Sequence, residues 1–218
     1  MVNLNLDTSF KERIYQQYAR IGKCLSSDKR LEILDLLSNA PKSVENISQQ
    51  TGMTVANVSR HLQVLLDAKL VKFCKKGTYA IYTLADPAVL DFLMSLWKIC
   101  ETQLSDIPRI KEDLLKTYKD VQTISRSELL EKMKSKTIVV IDVRPRDEYE
   151  MGHIPGAISV PLEELDEYLK SVPKDVQLAA YCKGPYCVYT THAVEEMQKK
   201  GFAAYRIEER VHEWNINE

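Results

Sequence analysis

Apolar residues recur at helical spacing through the first part of the chain. One such stripe covers residues 8–24, and a second follows the Ser-Ser-Asp sequence at 26–28, a typical N-cap. A third, short helix is predicted after Ser43, and Gly52 is a typical residue to end it. A fourth helix, TVANVSRHLQVLLDAKL, is predicted to begin at Thr54.

The fourth helix has an apolar face and a polar N-terminal end. Two alternating stretches, 70–74 and 79–84, follow it and flank the basic sequence Lys75-Lys76-Gly77-Thr78. A short helix, a tight turn, a polar-tipped helix and a two-stranded ribbon with lysines at its tip predict a winged helix-turn-helix. The apolar face of the fourth helix comprises Val55, Val58, Leu62, Leu65 and Leu66.

The second half changes to an alternation of short apolar runs and helices. Residues 105–122 predict a helical connector, and Ser125-Arg126-Ser127-Glu128 fits a capping box. The following pattern predicts a small parallel α/β sheet covered on both faces. We therefore predict an α+β winged-helix domain over 1–104, a connector over 105–122 and an α/β domain over 123–218. The predicted strands lie at 137–143, 158–160, 178–181 and 203–207.

Charge and cysteine content narrow the class of protein. Residues 1–120 carry 17 Lys and Arg against 14 Asp and Glu, whereas residues 121–218 carry 13 against 17, which indicates two modules with different partners. The five cysteines are odd in number and scattered, which favours free thiols over a disulfide framework. No apolar run has membrane-spanning length and no secretory signal opens the sequence, so we expect a cytoplasmic protein.

The sequence Tyr181-Cys182-Lys183-Gly184-Pro185-Tyr186-Cys187-Val188 is the first candidate for chemistry. It lies between a predicted buried strand and a predicted helix. Unpaired backbone N–H groups at the start of a helix favour a thiolate, so a reactive cysteine is expected here.

Three stretches of the first half, DKRLEILDLL, ENISQQTGMTVANVSRHLQVLLDAKLV and KKGTYAIYTL, resemble the ArsR/SmtB type of winged-helix repressors. The resemblance covers roughly residues 12–104 and implies a double-stranded DNA operator. It also implies a homodimer, in which the first helix pairs with the apolar helix that follows Asp86-Pro87. By this resemblance the DNA-contacting residues are Thr54, Asn57, Ser59, Arg60 and His61, with Lys75 and Lys76 on the phosphate backbone.

The metal ligands that many members of that family use are missing. No cysteine lies around Val44 to Ile47, and the last helix lacks the acidic and histidine pairs of the zinc sensors, so we expect no metal site. Cys24 in the first helix and Cys100 in the last are hypothesised to form a thiol sensor. The alternative is that both are buried as small apolar residues.

The sequence DVRPRDEYEMGHIPGAISVP at 142–161, with the cysteine loop after it, closely resembles rhodanese domains over roughly 123–218. This resemblance implies a sulfurtransferase in which Cys182 attacks a sulfane sulfur donor such as thiosulfate or polysulfide, and a thiol acceptor removes the sulfur. We expect Lys183 to attract the anionic donor and the loop residues Gly184, Pro185, Tyr186 and Val188 to form the cradle. Asp142 is expected to order the loop base, Arg144 to pair with Glu148, and His153 to hold a turn.

Several alternatives stay open for the cysteine loop. Val188 stands where a phosphatase of related fold carries arginine, which argues against phosphate chemistry. Cys187 stands where many rhodaneses have arginine and is hypothesised to resolve the Cys182 persulfide to a disulfide. We therefore expect a transcriptional regulator of the repressor type that forms a cysteine persulfide and transfers or senses sulfane sulfur without a cofactor. The alternatives are a sulfurtransferase dimerised by its winged helix, and an arsenite-responsive repressor.

Overall fold

The computed structural model describes residues 4–118 and 121–214. The chain separates into two compact units, Met1–Ile99 and Cys100–Glu218. Parts of the predicted domains and connector, namely residues 1–3, 119–120 and 215–218, lie outside the described residues. No helix in the described ranges is long and apolar enough to cross a lipid bilayer.

The N-terminal unit begins with four helices, of which the second, third and fourth start at the predicted caps. The side chains of Ser27, Ser43 and Thr54 each accept a backbone N–H from the first helical turn, which satisfies a donor that would otherwise be unpaired. Gly52 ends the third helix with φ of 68°, a left-handed conformation that favours glycine. The helices are α1 (Leu4–Leu25), α2 (Asp28–Asn39), α3 (Val44–Thr51) and α4 (Val55–Asp67).

A three-stranded antiparallel sheet and a fifth helix complete this unit. Strands β1 (Lys42–Ser43), β2 (Val71–Lys76) and β3 (Tyr79–Leu84) lie in the order β1-β3-β2. Lys76 pairs with Tyr79 across the turn, so the lysines stand at the tip of the β2–β3 ribbon. Helix α5 (Pro87–Gln103) follows. This is the predicted winged helix-turn-helix.

Helix α4 packs its apolar stripe against the core of this unit. Val58, Leu62 and Leu65 are fully buried. Val55, on the same predicted apolar face, is 48% exposed. It is the first residue of α4, so the apolar face is left uncovered at the start of the helix.

The C-terminal unit begins with helix α6 (Asp106–Thr117) and then forms a five-stranded sheet. All its strand pairs are parallel and lie in the order β4-β8-β7-β5-β6. The strands are β4 (Gln122–Thr123), β5 (Ile138–Asp142), β6 (Ile158–Ser159), β7 (Gln177–Tyr181) and β8 (Ala204–Arg206). The helices are α7 (Arg126–Lys134), α8 (Arg146–Met151), α9 (Leu165–Ser171), α10 (Val188–Lys199) and α11 (Val211–Trp214), with a 3-10 turn at Leu162–Glu164.

The central strands of this sheet are buried on both faces. Ile141 and Leu178 belong to one apolar cluster, whereas Val140 and Ala179 belong to a second. Successive residues of a strand point to opposite faces, so the two clusters lie on opposite sides of the sheet. The predicted parallel α/β sheet covered on both faces is confirmed.

Candidate functional sites

The cysteine loop connects the carboxyl end of β7 to the start of α10. It contains one backbone hydrogen bond, from the Cys187 N–H to the Gly184 carbonyl at 3.2 Å. Gly184 has φ of 124°, and a Cβ atom there would stand 2.8 Å from Cγ of Arg210. Both observations restrict this position to glycine.

The two cysteines of the loop contact each other and differ in exposure. Cys182 is only 3% exposed, whereas Cys187 is half-buried. The Cys182 thiol hydrogen-bonds to the Cys187 sulfur, and both are free cysteines. This contact brings together the two residues that the sequence marked as reactive.

The pair holds one negative charge. The hydrogen bond from Cys182 lowers the pKa of Cys187 to about 6, with further help from the backbone N–H groups of Lys183, Thr190 and Tyr189, although burial opposes the change. The same hydrogen bond and burial raise the pKa of Cys182. The contact therefore couples the two thiols and favours a single negative charge on the pair.

Lys183, the residue after Cys182 in the cysteine loop, forms a buried ion pair. Its Nζ is 3.3 Å from Oε1 of Glu148, whose side chain is fully buried, and the lysine side chain itself is only 18% exposed. Of the other loop residues, Pro185 is buried, whereas Tyr186 and Val188 are exposed. Lys183 is thus held in place at the loop rather than extended into solvent.

The predicted pairing of Arg144 with Glu148 is wrong. The Arg144 guanidinium instead donates to the Asp142 carboxylate, with N–O distances of 2.6, 3.0 and 3.1 Å, and both side chains are essentially unexposed. Asp142 also accepts the backbone N–H of Arg144 at 3.0 Å. Because Asp142 is the last residue of β5, this pair fixes the start of the loop that follows the strand.

His153 lies two residues after the end of α8. Its Nδ1 is 3.1 Å from the Tyr149 carbonyl, and its ring stacks on the Tyr149 ring at 3.9 Å between centroids. Arg144 donates to the neighbouring Gly152 carbonyl at 2.7 Å. These contacts agree with the structural role expected of His153.

Sequence reasoning missed Arg206, a fully buried arginine that contacts the cysteine loop. Its Nη2 donates to the Pro185 carbonyl, and its Nη1 lies 3.6 Å from the Glu208 carboxylate. Glu208 also receives Lys111 of α6 at 2.5 Å. Burial lowers the pKa of Arg206, and the negative charges of Glu208 and Cys187 oppose that change. The one signal in the sequence was a charged residue inside the predicted strand at 203–207.

The second candidate surface lies on α4 and the ribbon tip. His61 is half-buried, and the ribbon lysines are exposed at the paired ends of β2 and β3. The polar side chains at the start of α4 therefore face solvent, as a surface that reads DNA requires. The exposed predicted DNA-contacting residues are Thr54, Asn57, Ser59, Arg60, Lys75 and Lys76.

Cys24 and Cys100 are both free cysteines in different surroundings. Cys24 is buried, and burial raises the pKa of its thiol although Arg30 opposes the change. Cys100 is half-buried. Their proposed link stays a prediction. Among the described residues, no group of three or more His, Cys, Asp or Glu side chains is arranged to hold a metal ion.

Both halves of the chain match families of known proteins. Residues 27–72 match the arsR family of bacterial regulatory proteins, and residues 125–217 match the rhodanese-like domain. The class of protein defined by these two folds is a winged helix-turn-helix regulator joined to a rhodanese-like domain.

A relative matches nearly the whole chain. The HTH-type transcriptional regulator Rv0324 of Mycobacterium tuberculosis is 35% identical over 206 residues, which cover 94% of this chain and 90% of that protein. The chain belongs to the ArsR family of transcriptional regulators and carries a rhodanese-like domain at its C-terminal end. The predicted resemblance to both families is confirmed.

Two further matches concern one half each. The thiosulfate sulfurtransferase GlpE of Coxiella burnetii is 37% identical over 59 residues, which cover 27% of this chain and 55% of that protein. The homodimeric winged helix-turn-helix DNA-binding domain of Mb0332 from Mycobacterium bovis is 33% identical, with a TM-score of 0.43 over 44% of this chain and 89% of that chain.

Proposed function

We propose that the chain is a homodimeric, DNA-binding repressor whose rhodanese-like domain reacts with sulfane sulfur and so changes operator binding. The observation that carries the proposal is the hydrogen-bonded contact between Cys182, directly after β7, and Cys187, directly before α10. A thiolate next to a second thiol is the arrangement needed to accept sulfur and then release it.

Sulfur chemistry at this pair has two steps. A donor such as thiosulfate or polysulfide transfers a sulfur atom to one cysteine, which becomes a persulfide; the resemblance to rhodaneses assigns this first role to Cys182. The second cysteine then attacks the persulfide, releasing sulfide and leaving a disulfide, or an external thiol acceptor removes the outer sulfur. Lys183 beside the loop adds a positive charge for an anionic donor.

The DNA-binding part of the proposal rests on the exposed polar start of α4. Arg60 and Asn57 are exposed there, and Lys75 and Lys76 are exposed on the ribbon. Side chains at the start of the second helix of a helix-turn-helix reach base edges, and lysines on a wing neutralise phosphates. A sulfurtransferase that kept the winged helix only for dimerisation would not need this set.

Dimerisation is supported by exposed aromatic side chains on α1. Phe10, Tyr15 and Tyr18 are 64, 59 and 66% exposed, which is unusual for large apolar groups on one helix. A second copy of the chain would cover them, as the homodimeric Mb0332 domain leads us to expect. Sedimentation of the purified protein at micromolar concentration is expected to give twice the chain mass.

The test of the whole proposal is operator binding before and after sulfur treatment. A duplex selected from a random DNA pool by the untreated protein serves as operator, and binding is measured with and without thiosulfate or polysulfide. We expect treatment to change the affinity of the parent protein and to leave the Cys182→Ser protein unchanged. Unchanged binding of the treated parent would separate the two halves in function and contradict the proposal.

The Arg60→Ala protein tests whether the chain reads DNA at all. We expect it to lose operator affinity by about tenfold or more, corresponding to roughly 1–3 kcal/mol for a base contact, whereas Lys134→Ala, at an exposed lysine of the other unit, keeps it. Parent affinity must also fall as salt rises. Sulfur turnover without any operator binding would favour the sulfurtransferase alternative, and release by arsenite but not by polysulfide would favour the arsenite-responsive repressor.

The Cys24 and Cys100 hypothesis needs a separate measurement. Mass spectrometry of the polysulfide-treated Cys182→Ser, Cys187→Ser double variant detects a disulfide between Cys24 and Cys100 without interference from the loop cysteines. A Cys24–Cys100 peptide pair is expected, and its absence would refute the second sensor.

A further inference from the structure

We propose that Glu101 is a positioning residue that holds the cysteine loop in place through Tyr186 and Arg210, and that it passes the sulfur state of the loop into helix α5. The inference deepens the proposed function, on which it rests for the signal and for the response of operator binding. It assigns a role to a half-buried glutamate that the sulfur chemistry itself does not use.

Two side chains at the loop meet at the Glu101 carboxylate. The Tyr186 hydroxyl donates to Oε1 of Glu101, and Nη1 of Arg210 lies 4.0 Å from the same oxygen. Burial and the negative charge of Glu101 raise the pKa of Tyr186, so the phenol keeps its proton and acts as the donor. Cζ of Arg210 also lies 5.7 Å from the centroid of the Tyr186 ring. These three side chains form one connected cluster, which we call the Glu101 clamp.

The Glu101 clamp holds the loop at two points between the cysteines. Tyr186 directly precedes Cys187, and Arg210 packs against Gly184, where a Cβ atom would come within 2.8 Å of its Cγ. The Arg210 side chain is only 8% exposed, and its backbone N–H donates to the Glu213 carboxylate at 2.7 Å. The loop therefore has little room to move while the clamp is formed.

Sulfur chemistry at the loop changes the space that this arrangement leaves. The Cys182 thiolate attacks the outer sulfur of thiosulfate, sulfite leaves with the electron pair, and the persulfide adds one sulfur atom at a position packed in the core of the unit. The Cys187 thiolate then attacks the inner sulfur, and the outer sulfur leaves as hydrosulfide after taking a proton from water. The resulting disulfide, about 2.05 Å long, is shorter than a hydrogen-bonded contact of two sulfurs. Both products displace the residues between the cysteines, and Tyr186 is one of these.

Helix α5 connects the Glu101 clamp to the winged helix. Residues 100–103, the last turn of α5, belong to the C-terminal unit, whereas the helix begins at Pro87 in the N-terminal unit. There Val89, Leu93 and Trp97 pack in the same apolar core as the buried face of α4. Consecutive turns of an α-helix are hydrogen-bonded to each other, so the helix is a stiff element. A change at its last turn is therefore carried to the core on which α4 packs.

The Glu101 clamp is tested by labelling the reduced full-length protein without donor or DNA. Iodoacetamide at low extent followed by peptide mass spectrometry reads Cys182 separately, because trypsin cleaves after Lys183, between the two cysteines. We expect Cys182 to be labelled about fivefold faster in Glu101→Ala than in the parent, since loss of a hydrogen bond to a charged group raises the population of the open loop. Tyr186→Phe, which keeps the ring but removes the hydroxyl, is expected to have the same effect.

Three comparisons separate positioning from general destabilisation. Glu101→Gln keeps an oxygen that accepts the Tyr186 hydroxyl and is expected to label at a rate between those of the parent and Glu101→Ala. Glu164→Ala breaks a similarly exposed glutamate–arginine pair of the same unit and should leave the labelling of Cys182 unchanged. The double variant Glu101→Ala with Tyr186→Phe should label no faster than Glu101→Ala, because both changes remove the same bond. Parental labelling of Cys182 in both single variants, or additive increases in the double variant, would overturn the clamp.

The link to α5 is tested with the selected operator duplex. Polysulfide treatment is expected to change the operator affinity of Glu101→Ala at least about fivefold less than that of the parent, and Glu164→Ala to respond like the parent. Bound operator should in turn change the labelling rate of Cys182 in the parent and not in Glu101→Ala, because coupling between two sites is reciprocal.

The results distinguish this inference from the proposed function. An equal response of Glu101→Ala and the parent would overturn the link to α5 while the proposed function stands. A parent whose operator affinity does not respond to sulfur treatment would refute the proposed function and the link with it, and the labelling rates would still decide whether Glu101 positions the loop.

Discussion

The buried pair of Arg144 and Asp142 provides a quantitative test of what holds the rhodanese-like domain together. Their side chains are 1% and 0% exposed, and three N–O contacts of 2.6 to 3.1 Å join them. Arg144→Met removes the cation but leaves the Asp142 carboxylate in the interior, where only the Arg144 backbone N–H and the neutral Tyr181 hydroxyl compensate its charge. Breaking one partner of such a pair costs about 3–5 kcal/mol. That is a large part of the roughly 5–15 kcal/mol that stabilises a typical domain.

Urea unfolding followed by tryptophan fluorescence measures this loss. The chain has two tryptophans, so all variants carry Trp97→Phe, which leaves Trp214 to report on the C-terminal unit. Trp214 is buried, with the Arg126 guanidinium 4.7 Å from its ring centroid, and its emission is expected to change on unfolding.

The matched control is Arg146→Met. Arg146 also pairs with a carboxylate, that of Glu164, but the two side chains are 56% and 47% exposed, so its removal is expected to cost about 0–1 kcal/mol. The double variant Asp142→Asn with Arg144→Met removes both charges and should recover part of the loss. The reasoning is refuted if Arg144→Met costs no more than Arg146→Met, or if the double variant is as unstable as the sum of its single changes.

Three further predictions concern packing, capping and the loop. Leu62→Ala empties a fully buried position of α4 and is expected to destabilise the N-terminal unit by about 2–5 kcal/mol in urea unfolding, whereas Val64→Ala, at a 40% exposed position, costs far less. Ser125→Ala removes the side chain that accepts the first-turn N–H of α7, and should lower the free energy of unfolding of the C-terminal unit by about 1 kcal/mol; a change below a few tenths would contradict this role. Gly184→Ala places a methyl group against Arg210 in a backbone conformation that disfavours it, so sulfur loading is expected to fall while the far-ultraviolet circular dichroism stays unchanged. If Gly184→Ala takes up sulfur at the rate of the parent protein, the loop tolerates the added methyl group and this prediction is wrong.

The elements of this fold were predictable because their signals are local. Ser27, Ser43, Thr54 and Ser125 cap helices at the residues where the sequence placed them, since a cap depends only on its own first turn. Strands β2, β3, β5, β6, β7 and β8 were visible as apolar or alternating runs for the same reason, whereas β1 and β4 were not predicted because each has only two residues, both polar. The exposure of Val55 was not predictable, because a periodic apolar face does not show which of its ends remains uncovered.

Contacts within the candidate site were less predictable because they depend on which strands become neighbours. Glu148, four residues after Arg144, looked like its partner, yet Arg144 pairs with Asp142 and Glu148 with Lys183 from the other loop. Arg206 could not be recognised as a residue of the site, since its contact with the cysteine loop follows from the adjacency of β8 and β7 in the sheet. Sequence spacing alone carries no information on this adjacency.

The hydrogen bond between the two loop cysteines has a consequence for how easily the loop is reset. A contact that favours a single negative charge on the pair stabilises its reduced form, and a dithiol with a stabilised thiolate has a raised reduction potential. A disulfide between Cys182 and Cys187 would remove both that charge and that hydrogen bond. Cellular thiols would then reopen the disulfide readily, so that oxidation of the loop lasts only while sulfur donors are present.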